Sequence, residues 1–169
     1  MTAELGTQPA RWLRISIPEQ RLWLMEQGRP GLSFAVSTGR NGPGERLGSG
    51  CTPRGWHSVR IKIGAGLPPE AVFVGRRFTG ELYSPELAAA HPKRDWILAR
   101  ILWLAGRESG RNRGGQCDTQ RRFIYIHGTP DTEPMGEPRS HGCIRMRNAE
   151  LVELFELVQA GDPVLIEGC

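Results

Sequence analysis

Trp12-Leu13-Arg14-Ile15-Ser16-Ile17, Arg21-Leu22-Trp23-Leu24 and Leu32-Ser33-Phe34-Ala35-Val36-Ser37 are three short runs in which apolar residues alternate with polar ones or persist for only a few positions. A period of two puts apolar side chains on one face of an extended chain, and Pro18–Gln20 and Gln27–Gly31 supply turn residues between the runs. The three read as a β meander. Beyond a Gly- and Pro-rich loop from Gly39 to Gly55, alternation resumes over His57–Ile63, and Ala71–Val74 adds another apolar run. Phe123–Ile126 is strongly β-prone and ends at His127 and Gly128, and Pro163–Glu167 reads as a last strand. Two helices are expected. One spans Asp95 to Ala105, by its length and apolar content, with Asp95 near its start and Gly106 just past its end. The other has Asn148 as N-cap, Glu150 in its first turn and Leu151, Leu154, Phe155 and Val158 at i, i+3, i+4 and i+7, and Gly161 ends it. The fold class is mainly β with a few packed helices.

A chain of 169 residues can bury a core as one domain, expected over residues 11–169 behind a flexible tail at 1–10. The 22 glycines and 13 prolines favour short elements and many turns over a long helical bundle. The net charge is +4, and among the bases only Lys62 and Lys93 are lysine, so the chain favours the planar, bidentate contacts of arginine with carboxylates or phosphates. That excess is too small and too evenly spread to make nucleic acid the partner without a motif. No run approaches the roughly 18 apolar residues of a membrane span. The first residues show no basic segment leading into an apolar one, so a cytoplasmic location is expected, with a periplasmic one as the alternative. Cys51, Cys117, Cys143 and Cys169 are widely separated and read as free thiols. Arg107–Arg122, with five arginines and three glycines, reads as a surface connection that borders a site for anions or is simply solvated.

The chemistry concentrates between His127 and Arg145. A thiol is a good nucleophile only as the thiolate, which needs positive or hydrogen-bonding surroundings, and Cys143 has His141 and Arg145 each two positions away. Gly142 lets the backbone approach a substrate closely, so that neighbouring N–H groups can face a developing oxyanion. His127 closes a strand and is joined to Cys143 by a turn-rich loop able to bring a base back beside the nucleophile. Taken singly, each of these residues is more often structural; together they make an acyl-transfer site. Cys51, Cys117 and Cys169 lack a flanking histidine, and His57 and His91 lack a partner, so all five keep a structural reading. Zinc is the competing use of His127, His141 and Cys143, but His141-x-Cys143 is too short for the usual ligand pairs, and no metal or cofactor is expected.

Tyr125-Ile126-His127-Gly128-Thr129, Gly136 and Ser140-His141-Gly142-Cys143-Ile144-Arg145-Met146 resemble the signature of the L,D-transpeptidase catalytic domain, the YkuD-type domain. Arg21–Leu24, Val36–Gly39 and Thr52–Gly55 resemble its opening strands and the loop that follows. The resemblance implies a β-sandwich of mixed sheets with packed helices and a cysteine acyl-transfer reaction on peptidoglycan stem peptides. It implies that Cys143 attacks the carbonyl of the third stem residue, diaminopimelate, and expels D-alanine, leaving a thioester. His127 is then the general base, held by local backbone; His141 and Ser140 shape the pocket; the N–H groups of Gly142 and Cys143 form the oxyanion hole. Gly128 belongs to the same binding constellation, and Arg145 binds a substrate carboxylate or braces the loop. The expected reaction is that of an L,D-carboxypeptidase trimming recycled muropeptides; the alternatives are periplasmic cross-linking and a non-catalytic module for an anionic partner. Oligomeric state is left open.

Overall fold

The computed structural model describes residues 9–168. Three antiparallel strands open the chain: β1 (Arg11–Ser16), β2 (Arg21–Glu26) and β3 (Arg29–Ala35). They form the expected meander. Two further strands, β4 (Gly55–Ile63) and β5 (Ala71–Val74), come next, and β5 turns back into β6 (Arg77–Leu82), a hairpin arm whose mostly exposed residues gave no alternation to read. A short helix α1 (Pro85–Ala90) is capped by Ser84, whose hydroxyl accepts the Leu87 N–H at 3.1 Å. Then come β7 (Ile97–Gly106), β8 (Tyr125–Thr129), β9 (Ile144–Arg147), α2 (Asn148–Leu157) and β10 (Pro163–Glu167).

The strands form one mixed sheet in the order β3-β2-β1-β10-β4-β7, which continues through β5-β6 on one branch and β8-β9 on the other. The sheet curls on itself. Ser37, just past β3, exchanges both backbone hydrogen bonds with Arg145 of β9, at 3.0 and 2.9 Å, so the two ends of the sheet meet. The main core fills the enclosed space with Leu13, Ile15, Leu22 and Leu24 from the meander, Ile126, Ile144 and Met146 from β8 and β9, and Leu151, Leu154 and Phe155 from α2.

Three expectations are corrected and a fourth is refined. The helix over Asp95–Ala105 is instead the ten-residue strand β7. As a central strand, paired with β4, β5 and β8, it is covered on both faces and reads as a continuous apolar run, which periodicity does not distinguish from a buried helix. Asn148 is the first helical residue rather than the cap. Arg147, still extended as the last residue of β9, occupies the cap position, so α2 leaves the strand with no intervening loop. The strand drawn at Phe123–Ile126 begins only at Tyr125. The Arg107–Arg122 connection is mostly exposed but anchored, because Asn112 is fully buried and its Nδ2 donates to the carbonyls of Arg54 and Trp56 at 2.9 and 3.1 Å.

The tail expected at 1–10 falls outside the described residues as far as Gln8; Ala10 is tied to the fold, its carbonyl accepting the Gln27 N–H at 2.9 Å. Cys51, Cys117 and Cys143 are free thiols, and Cys169 lies outside the described residues. His57 is buried, with Nδ1 on the Gly55 carbonyl and Nε2 on the Thr119 hydroxyl, each at 2.9 Å. Burial lowers its pKa to about 4, so it is a neutral structural group that ties β4 to the arginine-rich connection.

Candidate active site

Strand alternation sorts the residues of β8 and β9. These two strands run parallel, with Ile126 opposite Ile144 and His127 opposite Arg145. Ile126, Ile144 and Met146 face the main core, so Tyr125, His127 and Arg145 share the other face. Cys143 sits one residue ahead of β9, level with Tyr125, whose N–H donates to Sγ at 3.3 Å. The nucleophile candidate and the base candidate are thus diagonal neighbours on one face. With strands about 4.8 Å apart and about 3.3 Å of rise per residue, that diagonal is about 8 Å between Cα atoms, a gap that a cysteine and an imidazole can span between them.

His127 is buried, and its Nδ1 lies 2.7 Å from the Gly128 carbonyl. A carbonyl can only accept, so Nδ1 carries the hydrogen and Nε2 keeps its lone pair. Burial lowers the pKa of this imidazole, with the Gly128 carbonyl and Asp95 opposing and Arg145 adding to the effect. The ring is held neutral and in the tautomer of a base. Cys143 is half-buried, and its thiol donates to the Phe123 carbonyl at 3.4 Å. Burial pushes the thiol pKa up to about 11; the Tyr125 N–H, Arg145 and Arg122 pull the other way, while Asp95 adds to the rise. The resting pair is therefore thiol and imidazole. No hydrogen bond joins them in this conformation, and Sγ must turn from the Phe123 carbonyl to reach Nε2.

The turn before Cys143 is built by hydrogen bonds. The Ser140 hydroxyl donates to the Cys143 carbonyl at 2.5 Å and accepts the Gly142 N–H at 3.1 Å. Thr52 Oγ1 donates to the Gly142 carbonyl at 2.9 Å and accepts the Gly39 N–H at 2.8 Å. Gly142 has φ +126°, and a Cβ there would lie 3.0 Å from the Cys51 carbonyl, so a side chain is excluded on both counts. Two expected roles shift. The Gly142 N–H is already taken by Ser140, which leaves the Cys143 N–H as the member of that pair without a partner among the described residues. Gly128 admits no side chain because a Cβ would run into Asn148 Oδ1 and lie 2.6 Å from the Leu98 carbonyl; its contribution is close packing and the carbonyl that holds His127.

Arg145 has a side chain only 8% exposed, and it pairs with Asp95 at 3.0 Å and Glu133 at 3.7 Å while donating to the Arg139 carbonyl at 3.4 Å. These contacts tie Arg145 to the segments carrying Asp95, Glu133 and Arg139. Asp95 also holds the exposed His141, Oδ2 to Nδ1 at 3.2 Å. Sequence reasoning missed Asp95. It stands 46 residues before His141, at the foot of a strand read as a helix, with no motif around it. Arg122 is also drawn in: it donates to the Cys51 carbonyl at 2.6 Å and contributes positive charge near Cys143. No group of three or more His, Cys, Asp or Glu side chains able to hold a metal ion occurs among the described residues.

With a histidine on β8 and a cysteine just ahead of the parallel strand β9 now in place, the chain matches the family described as the L,D-transpeptidase catalytic domain over residues 10–166. The chain belongs to that family. Among curated relatives, a candidate L,D-transpeptidase of Bacillus subtilis (strain 168), YqjB, is 48% identical over 48 residues, which are 28% of this chain and 27% of YqjB. Solved L,D-transpeptidases share the fold. A mutant of the Enterococcus faecium enzyme superposes with a TM-score of 0.57 at 18% identity, covering 99% of this chain and 53% of that one. L,D-transpeptidase 3 of Mycobacterium tuberculosis gives 0.56 at 19% identity, covering 94% of this chain and 61% of that one. The chain thus spans little more than half the length of these solved relatives. The mixed, mainly β architecture is the one the signature implied.

Proposed function

We propose that this chain is a cysteine acyl-transfer enzyme acting on peptidoglycan stem tetrapeptides, and that its reaction is hydrolysis of the bond between the third residue and the terminal D-alanine. The observation that carries the reading is the shared face of His127 and Cys143, with Nδ1 fixed on a carbonyl and Nε2 free to accept a proton. Family membership supports the same chemistry. In the first step Sγ attacks the carbonyl carbon of the third residue as its proton passes to His127 Nε2. The electron pair of the C=O bond moves onto oxygen, where the Cys143 N–H is placed to donate. Collapse of this intermediate breaks the C–N bond; the imidazolium returns its proton to the departing amine, D-alanine leaves, and a thioester remains. Water then adds, giving its proton to His127, and the thiol is restored as the tripeptide acid departs.

Hydrolysis is preferred to transfer because Cys143 is partly exposed and the water that reaches it outnumbers any acceptor amine. The setting that suits this is the cytoplasm, where stem peptides are met as soluble fragments. The relatives' names favour the second fate, cross-linking to an amine. The test is to incubate the protein with a disaccharide-tetrapeptide and follow both masses, with and without an added amine acceptor. Expected are loss of one D-alanine and a transient adduct on the protein, both abolished by Cys143→Ala, with little diversion to the amine. Diversion of most product to the amine makes the protein a transpeptidase; activity surviving in Cys143→Ala refutes the mechanism; no reaction at all leaves the fold with a binding role.

A further inference from the structure

Phe123 stands out beside the site. It is an aromatic residue with φ +58° and 50% exposure, a backbone conformation that bulky side chains rarely adopt and an exposure that gains nothing from burial. Its carbonyl accepts the Cys143 thiol at 3.4 Å. Its ring lies 6.1 Å from that of Trp103, and Trp103 in turn packs edge-on against Tyr125 at 5.8 Å. The Arg76 guanidinium stacks on both Trp103 and Phe123, at 5.0 and 4.7 Å. A cleft of about 470 Å³ opens against the two rings, walled by Asp118, Gln120 and Arg121, and Arg76 is not among the residues that line it. The ring pair is therefore backed by a cation at one place and open to the cleft at another.

The polar wall is divided in a useful way. Asp118 is spent on its own loop, accepting the N–H groups of Gly114 at 2.8 Å and Arg121 at 2.9 Å. By contrast, the side-chain amide of Gln120 and the guanidinium of Arg121 have no hydrogen-bond partner among the described residues, and Trp103 Nε1 is fixed on the Gln120 carbonyl at 3.1 Å. Aromatic faces beside a free amide and a free guanidinium match a pyranose ring, which presents an apolar C–H face and a rim of hydroxyl or acetamido groups. The reach is also right. Three residues of extended peptide span at most about 11 Å, and Phe123, which lines the cleft, has its carbonyl 3.4 Å from the Cys143 sulfur.

We propose that the cleft between Trp103, Phe123 and the Gln120–Arg121 turn is a saccharide subsite, which holds an N-acetylated amino-sugar ring of the chain bearing the stem peptide. The proposal rests on the peptidoglycan reading above, but its test need not. The Cys143→Ala protein, unable to react, is titrated with a β-1,4-linked N-acetylglucosamine tetrasaccharide carrying no peptide, and tryptophan fluorescence and backbone amide NMR shifts are followed. Expected is saturable binding with shifts at Gln120, Arg121 and Phe123. Phe123→Asn, which tolerates positive φ while removing the ring, should weaken it by about tenfold, the scale of losing one ring face of apolar contact; the double change Gln120→Ala/Arg121→Ala should do the same. Circular dichroism of each variant checks that it is folded. No saturable binding at millimolar sugar, or equal binding by the folded Phe123→Asn protein, overturns the subsite, as does a single-stranded oligonucleotide that shifts the same amides when the sugar does not. Sugar binding without D-alanine release from the disaccharide-tetrapeptide by the intact enzyme keeps the subsite and refutes the reaction. Equal kcat/KM for free and disaccharide-linked tetrapeptide, with no sugar binding, does the reverse.

Discussion

The protonation state of Cys143 gives the sharpest test of how the site works. A cysteine thiol has an ordinary pKa of 9.0, and burial beside Tyr125 and Phe123 pushes this one up to about 11. Two pH units cut the thiolate fraction at neutral pH by about a hundredfold. A more basic thiolate is also the better nucleophile, with a Brønsted slope of about 0.4–0.5, which restores roughly tenfold. The net expectation is that Cys143 reacts about tenfold more slowly with iodoacetamide at pH 7 than a free cysteine peptide does. Its rate should climb about tenfold per pH unit and show no plateau below about pH 10. The measurement is the alkylation rate at Cys143, read by peptide mass from pH 6 to pH 10. Fast labelling that levels off at or below neutrality would reveal a thiolate–imidazolium pair. In that case His127 would have no proton to take during attack, and its role as general base in acylation would be refuted.

Three further outcomes are expected. Asp95→Asn removes the carboxylate that pairs with the nearly buried Arg145 and with His141, and should cost about 1–3 kcal/mol in urea unfolding together with a lower acylation rate; a loss under about 0.5 kcal/mol would show that the pair braces nothing. Gly142→Ala places a Cβ 3.0 Å from the Cys51 carbonyl at φ +126° and should cost at least about 1–3 kcal/mol, read as a drop in Tm. His57 has its pKa lowered from 6.5 to about 4, so the stability it contributes is complete above pH 6.5 and is lost as pH falls toward 4, by up to about 3 kcal/mol. Urea unfolding from pH 7 to 4.5 and NMR titration of the His57 ring measure this directly, and a ring that titrates near 6.5 contradicts it.

The meander, the last strand and the amphipathic helix were legible because each buries one face and so writes its period into the sequence. Strand β7 was not, since burial on both faces removes the alternation that separates strand from helix. The same geometry explains the site. His127 and Cys143 could be nominated from local chemistry, and the glycine between His141 and Cys143 signalled a backbone that no side chain fits. The partner of Arg145 could not, because Asp95 reaches it only after β7 has laid its N-terminal end against the β8–β9 edge. The assignment of the Gly142 N–H to an oxyanion hole missed a competitor two residues away, the Ser140 hydroxyl, whose reach depends on the turn the chain makes there. Phe123 carried no sequence signal beyond its β propensity, and its left-handed torsion is visible only in the fold.

The seam where Ser37 meets Arg145 sets when the nucleophile can exist at all. The turn carrying Cys143 is stitched to residues translated about a hundred positions earlier, and β10 must slide between β1 and β4 before the barrel-like wall is complete. Pairings so distant in the chain close late and slowly, typically in milliseconds to seconds. A nascent chain therefore emerges from the ribosome with its cysteine unpositioned, and the sulfur is aimed only in the finished molecule.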